Sequence, residues 1–144
     1  MFGQSTAHRA ELSDRICTAL QVVEHCQDVA EDFRAGRVYL PGVDLERFGA
    51  DPAELDTPPA SEALRKVVAT QIDRSQALIE TGLPLIGELR GWARLAVSGY
   101  AAGGVATIDA LRSAKYDVVS THCRAKRINM VKHLLRIYTG RAGR

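Results

Sequence analysis

Glu24, Asp28 and Asp32 recur every four residues, a spacing that places three carboxylates on one stripe of a helix. At about 100° per residue they fall within an arc of ~80°, with Gln21 one turn earlier and Glu31 alongside. Like charges at i and i+4 destabilise an isolated helix by a few tenths of a kcal/mol per pair. No lysine lies anywhere between Ser13 and Gly36 to relieve them. The stripe therefore calls for an outside cation. Hard oxygen ligands suit Mg2+, which accepts one or two carboxylates, keeps several waters and takes further ligands from a substrate phosphate. Arg34 and Arg37 follow directly and can hold phosphate oxygens, so a diphosphate completes the picture. The plain alternative is a solvated acidic face; Val22, Val23 and Val29 weigh against it by giving the helix an apolar side with which to dock.

The elements that must position these groups read as helices, because apolar residues step by three, four and seven and no strand alternation is sustained. The expected fold class is all-α. Ser13, followed by Asp14, is the expected N-cap of the first helix, whose apolar positions Ile16, Leu20, Val23 and Ala30 lead to a stop near Gly36. Residues 36–59 hold four of the five prolines and read as an ordered loop with a short helix at Asp44–Phe48. A second helix is expected from Ser61 to Gly82–Pro84, a third over about 85–113, and a fourth over about 124–138 after a turn at Tyr116–His122. The third is rich in small residues, Ser98, Gly99, Ala101, Ala102, Gly103 and Gly104. These imply either a closely approaching neighbour or room left for an apolar substrate.

With 144 residues, 46% hydrophobic and 25% charged, the chain has room for one domain with a real core, which excludes disordered, collagenous and disulfide-scaffold classes. Cys17, Cys26 and Cys123 are odd in number and lack a C-x-x-C pair, as expected of free thiols in a reducing, cytoplasmic setting. The N-terminal residues lack the pattern of a signal peptide, and the longest charge-free run, Leu95–Ile108, has 14 residues. About 20 are needed to cross a bilayer, so this run reads as a buried helix. The dipeptides His25–Cys26 and His122–Cys123 lack the spacing of a zinc site, and hydrolase-elbow, dinucleotide and P-loop motifs are missing.

Charge is divided unevenly. Residues 1–111 carry 10 Lys/Arg against 16 Asp/Glu, whereas residues 112–144 carry 9 Lys/Arg against Asp117 alone. The last helix is basic and amphipathic, with Ile128, Val131, Leu135 and Tyr138 on one side and Lys126, Arg127, Lys132 and Arg136 mostly away from it. It suits the solvated outer face of a bundle, an anionic membrane surface, or nucleic-acid phosphates. The expectation is at most peripheral contact with the inner membrane face through 124–138, and no nucleic-acid partner.

The segment LQVVEHCQDVAEDFRAGRVYLP, residues 20–41, resembles the second aspartate-rich motif of the squalene/phytoene synthase family of head-to-head prenyltransferases, specifically its bacterial hopanoid-pathway squalene-forming branch. DLERFG at 44–49 and Tyr116–Asp117–Val118 are similar to the family's continuation, so the likeness extends from about Leu12 to about Tyr138. The resemblance implies an α-helical isoprenoid synthase bundle and Mg2+-dependent condensation of two farnesyl diphosphates through presqualene diphosphate. It also implies roles: Asp28 and Asp32 bind Mg2+ bridging to the diphosphate, with Glu31 and Glu24 as further oxygen ligands. Gln21 then faces the reacting carbons, while Arg37 and Tyr39 close the site over the phosphate.

Two residues depart from the family pattern: Glu24 stands where Asn is usual, and Gln27 where many members have Arg. The product among squalene, hydroxysqualene, presqualene diphosphate and phytoene is left open. Family members are longer and carry a first aspartate-rich motif that has no counterpart here. Residues 1–144 are therefore expected to form the C-terminal portion of a synthase-like domain, with the apolar faces of helices one and three exposed. Such a chain is expected to be inactive alone, and to oligomerise or to need a partner supplying the missing half. The competing reading is a non-catalytic helical interaction module, or an inactive version of the same scaffold.

Overall fold

In the computed structural model, residues 2–140 are described, with side chains from Thr6 onward, and every regular element among them is helical. Seven α-helices follow in order: α1 (Phe2–Gln27), α2 (Val29–Arg34), α3 (Gly42–Phe48), α4 (Glu62–Gly82), α5 (Pro84–Glu88), α6 (Gly91–Ser113) and α7 (Arg127–Tyr138). A single 3-10 turn, Pro52–Glu54, lies in the long connection, capped by the Asp51 carboxylate accepting from the Ala53 amide at 2.8 Å.

The central element is α4. Its N-cap is Ser61, as the sequence predicts, with Oγ accepting from the Leu64 amide at 3.2 Å. Leu64, Val67, Val68, Ile72 and Ile79 lie on its buried face, each stabilising the fold by ~2 kcal/mol through removal of apolar surface from water. Against it α1 lays Leu12, Ile16, Ala19, Val23 and Cys26, which alternate in steps of four and three and form a continuous stripe. Two charge anchors fix the connections. Asp44 of α3 accepts from Gln71 Nε2 at 2.6 Å and from Arg74 Nη1 at 2.5 Å, and the Arg74 guanidinium holds its carboxyl below the usual carboxylate range. Asp117, after α6, accepts from the Ala60 amide at 3.0 Å and from Arg65 at 2.9 Å, binding that turn to the start of α4.

Several boundaries differ from the expectations. Helix α1 starts well before Ser13, because Ala7, Ala10, Glu11 and Leu12 are good helix formers and leave Ser13 inside a helix already begun. It does not run straight to Gly36 but bends at Asp28 and resumes as α2. The expected third helix is divided, since extended Arg90 and left-handed Gly91 (φ +55°) separate α5 from α6. The fourth helix begins at Arg127 and not near 124. Exposure of apolar faces holds only for α6, where Trp92, Leu95 and Tyr100 face outward; the apolar stripe of α1 is buried on α4.

The small residues of α6 serve close packing. A Cβ on Gly104 would stand 2.5 Å from Leu20 Cδ2 and 3.2 Å from Ile79 Cδ1, so glycine there lets α1, α4 and α6 meet. Ser98, Ala101, Ala102 and Ala106 are buried at the same seam.

Candidate active site

Burying Leu12, Ile16, Ala19, Val23 and Cys26 on α4 turns the adjacent stripe of α1, carrying Ser13, Cys17, Gln21 and Glu24, toward a groove of about 470 Å³. Leu85 of α5 and Val97 and Tyr100 of α6 form its other walls, and Ile16 and Leu20 its apolar floor. Gln21 and Glu24 are thus brought to one cavity whose surface is mainly hydrocarbon, the setting in which an apolar chain can lie beside a few polar groups.

Asp28 comes one turn after Glu24, at the bend. Its backbone leaves helical geometry (φ −101°, ψ 14°), yet its amide still donates to the Glu24 carbonyl at 3.1 Å and its carbonyl still accepts from the Asp32 amide at 2.8 Å. Burial pushes the Asp28 carboxyl above the usual carboxylate range, and the charges of Glu31, Asp32 and Glu24 push it in the same direction. Only His122, from the turn before α7, works against them. That turn is tied to α1 by Gln27, whose side-chain amide donates to the Cys123 carbonyl. Gln27 is therefore a structural tether between α1 and that turn.

Asp32 is already paired. Arg37 Nε and Nη2 donate to its Oδ1 at 3.2 and 2.9 Å, which keeps the guanidinium firmly protonated. His25 Nδ1 lies 3.8 Å from its other oxygen and stacks on the Tyr39 ring at 4.0 Å and 18°. The local sequence explains this fold-back. Gly36, at φ +76°, ends α2 with its amide on the Phe33 carbonyl at 2.9 Å, and the Arg37 amide bonds the Asp32 carbonyl at 2.8 Å. These are the two bonds of a Schellman cap, which always brings the residue after the glycine back to the third residue from the helix end. Here those two positions are Arg37 and Asp32, so the cap becomes an ion pair.

The predicted residues thus form two connected groups: Gln21 and Glu24 in the groove, Asp32, Arg37 and Tyr39 at the folded-back segment, and Asp28 at the bend between them. Glu31 is exposed beside them. Arg34, expected to be free for phosphate, lies 3.8 Å from Asp56. Among the described residues no three His, Cys, Asp or Glu side chains enclose a metal by themselves. An array of carboxylates that is open and, around Asp28, mutually repelling suits Mg2+, which needs only one or two of them and fills the remaining positions from water and phosphate. It does not suit a closed structural site.

The squalene/phytoene synthase family profile matches residues 1–132. The chain belongs to the squalene/phytoene synthase family. Members of this family are prenyltransferases that join prenyl diphosphates head to head. Hydroxysqualene synthase of Rhodopseudomonas palustris is 35% identical over 91 residues, covering 62% of this chain and 31% of that protein. A squalene synthase from Alicyclobacillus acidocaldarius is 40% identical with a TM-score of 0.70, over 76% of this chain and 42% of that one. A dehydrosqualene synthase crystallised with a ligand matches the fold at a TM-score of 0.83 and 20% identity, over 96% of this chain and 49% of its own. The matches span about a third to a half of each relative's length. The squalene-forming bacterial branch that the motif resembles is among them.

Four site residues were not singled out by the sequence. Cys17 and Tyr100 line the groove, His25 stacks on Tyr39, and the charge of His122 acts on Asp28. Cys17 is four residues before Gln21, so helical periodicity carried its signal, whereas Tyr100 reaches the groove only through the packing of α6. Nothing local marks His122, which reaches the site only through tertiary packing.

Proposed function

We propose that this chain supplies the second carboxylate helix of an Mg2+-dependent, head-to-head prenyltransferase that condenses two farnesyl diphosphates to presqualene diphosphate and a squalene-type product. It corresponds, in this reading, to the C-terminal portion of a cytoplasmic synthase, and turnover requires helices that it does not itself provide. The observation that carries the reading is one continuous stripe of α1, along which Gln21 and Glu24 in an apolar groove lead directly to Asp28 at a bend crowded with carboxylates.

In this reading Asp28 and Asp32, with Glu31 and Glu24 nearby, hold Mg2+, whose charge would neutralise a departing diphosphate. The chain's own groups do the rest. Leu20, Leu85 and Val97 bind the isoprenoid and keep water from a developing carbocation, so no side-chain nucleophile is needed. Gln21 presents an uncharged amide to the reacting carbons, where a further carboxylate would trap the cation. Arg37, released from Asp32, and Tyr39 turn to the phosphate oxygens.

The test is a thermal-shift titration of the full chain with Mg2+ and farnesyl thiodiphosphate, a slowly ionising analogue. A retained half-site gains stability by mass action only when both ligands are present, by ~2.7 kcal/mol at a hundred times Kd. D28N and D32N should each abolish the gain. If the wild-type chain gains nothing with both ligands, the non-catalytic module becomes the better account. Rapid turnover of farnesyl diphosphate by the monomer would refute the need for additional helices.

A further inference from the structure

Helix α7 carries two apolar faces where a bundle helix needs one. The inner face docks: Ile137 and His133 are buried, His133 Nε2 lies 2.7 Å from Asp109 Oδ2 of α6, and Met130 packs at Gly103. The outer face does not. Ile128, Val131 and Leu135 are 75%, 55% and 61% exposed, and Tyr138 continues their line at i+3. At 100° per residue these four side chains fall within an arc of about 80°, with Lys132 and Arg136 bordering it on one side and Arg127 on the other. Arg94 adds a cation at the far end, its guanidinium 4.8 Å from the Tyr138 ring centre.

Most of the chain's other cations are paired, with Arg47, Arg90, Arg94 and Lys115 the exceptions among the described residues, whereas none of those on α7 and the turn before it is. Eight cations before residue 113, Arg9, Arg15, Arg34, Arg37, Arg65, Lys66, Arg74 and Arg112, each have a carboxylate within 4.0 Å. Among the described residues, Arg124, Lys126, Arg127, Lys132 and Arg136 have none, and all five are exposed. An unpaired basic border around an exposed apolar strip is the form of a helix that lies in a lipid headgroup layer. The aliphatic groups enter the acyl boundary, and the long cationic side chains reach the anionic headgroups.

We propose that the outer face of α7 docks on an anionic lipid bilayer, with Ile128, Val131, Leu135 and Tyr138 inserted and Arg127, Lys132 and Arg136 on the headgroups. Charge complementarity selects this occupant. A second copy packed α7 against α7 would set these same cations against their equivalents across the contact, a juxtaposition that opposes association. The proposal is independent of the carboxylate site and goes beyond it: docking delivers a protein surface to the phase in which long isoprenoids dissolve.

The experiment is co-sedimentation of the full chain with vesicles of phosphatidylglycerol mixed equally with phosphatidylcholine, and with phosphatidylcholine alone. Two triple variants, I128S/V131S/L135S and R127Q/K132Q/R136Q, alter only exposed positions, and circular dichroism verifies that each folds. Binding is expected to the anionic vesicles only. Each cation near such a surface is worth about fivefold in affinity, so the charge variant should lose about a hundredfold. The serine variant should lose ~tenfold or more from lost apolar burial. Absence of binding to anionic vesicles overturns the proposal. So does binding that salt abolishes but the serine variant retains, since the basic third of the chain would then attract vesicles without α7 inserting. Self-association that the serine variant abolishes, without vesicle binding, assigns the face to a second copy and equally overturns it.

Discussion

Replacing Asp28 with Asn should make the metal-free protein more stable, although the residue is the centre of the proposed site. Asp28 has three like-charged neighbours at helical spacing, Glu24 at i−4, Glu31 at i+3 and Asp32 at i+4, and all three raise its pKa in concert with burial. Each such pair costs ~0.2–0.5 kcal/mol, so removing the charge relieves about 1 kcal/mol in total. Loss of the attraction to His122 returns part of this. For a chain of this size a change of about 1 kcal/mol moves Tm by ~3 °C. Asparagine keeps the shape, and the backbone bonds at the bend do not involve the side chain.

The assay is differential scanning calorimetry of wild type and D28N, each with and without Mg2+ plus farnesyl thiodiphosphate. Without ligands D28N should melt ~3 °C higher; with saturating ligands the order should reverse, because only the wild type gains by mass action. The sign with pH follows from the raised pKa. Ionised Asp28 is a penalty that is fully present above its folded pKa and gone below the ordinary carboxylate value, so metal-free wild type loses stability relative to D28N as pH rises from about 4. D32N provides the contrast, since the same relief of repulsion is offset by loss of the surface Arg37 pair, so its metal-free Tm should rise less than that of D28N or not at all. A D28N protein that melts lower without ligands, or that keeps the full ligand-induced gain, would refute the reasoning.

Thiol accessibility should follow burial: burial pushes the Cys26 thiol up to about 12 and raises Cys123 as well, while Cys17 is exposed in the groove. Ellman's reagent at mildly alkaline pH should titrate one thiol in the folded protein and three after denaturation. Ser98→Ala should raise stability by ~1–2 kcal/mol in urea unfolding, because the Ser98 hydroxyl is fully buried without a hydrogen-bond partner. Gly82→Ala should do the opposite. A Cβ there would lie 2.6 Å from Ile16 Cγ1 and 3.0 Å from the Leu12 carbonyl, and overpacking against backbone costs about 1–3 kcal/mol, more than the helix propensity gained at a terminal residue. Gly36→Ala meets no neighbour within 4 Å, so its ~1 kcal/mol cost comes from φ alone. If the Schellman cap sets the Arg37–Asp32 pair, this variant should weaken with D32N less than additively in a double-mutant cycle.

The helices were legible where periodicity and capping agreed. Ser61 and Gly82 delimit α4 in sequence and structure alike, because an N-cap hydroxyl and a terminal glycine act through adjacent backbone. Ser13 misled for the same local reason: the residue type suits a cap, but the preceding good helix formers had already set the backbone. The division of α5 from α6 rests on one positive φ at Gly91, which a helical apolar pattern running across it concealed. At the site, the carboxylate spacing was readable because helix geometry is fixed by residue number alone. Tyr100 and His122 were not, since their proximity to α1 depends on how α6 and the turn after it pack. Nor was the prior pairing of Arg34 and Arg37 with Asp56 and Asp32 visible, because ion pairs form after the loops have been placed.

The folded-back segment joins these two kinds of information. Among the described residues three helices end in the same complete cap: α2 at Gly36, α3 at Gly49 and α6 at Lys115, each with one amide bonding three residues back and the next bonding five back. At Gly49 the cap brings Ala50 back to Leu45, both buried, and so serves the core in the usual way. At Lys115 a non-glycine holds φ +51°, a conformation sustained by Arg65 Nη1 donating to the Lys115 carbonyl at 2.8 Å. At Gly36 the same backbone geometry joins an aspartate to an arginine at the surface, where an ion pair adds little to stability. A cap that serves stability alone would place hydrocarbon at those two positions, as α3 does. Under the proposed function this pair has a use that stability does not supply: Arg37 would shield Asp32 from its carboxylate neighbours in the free protein and yield to a metal–diphosphate pair when both bind.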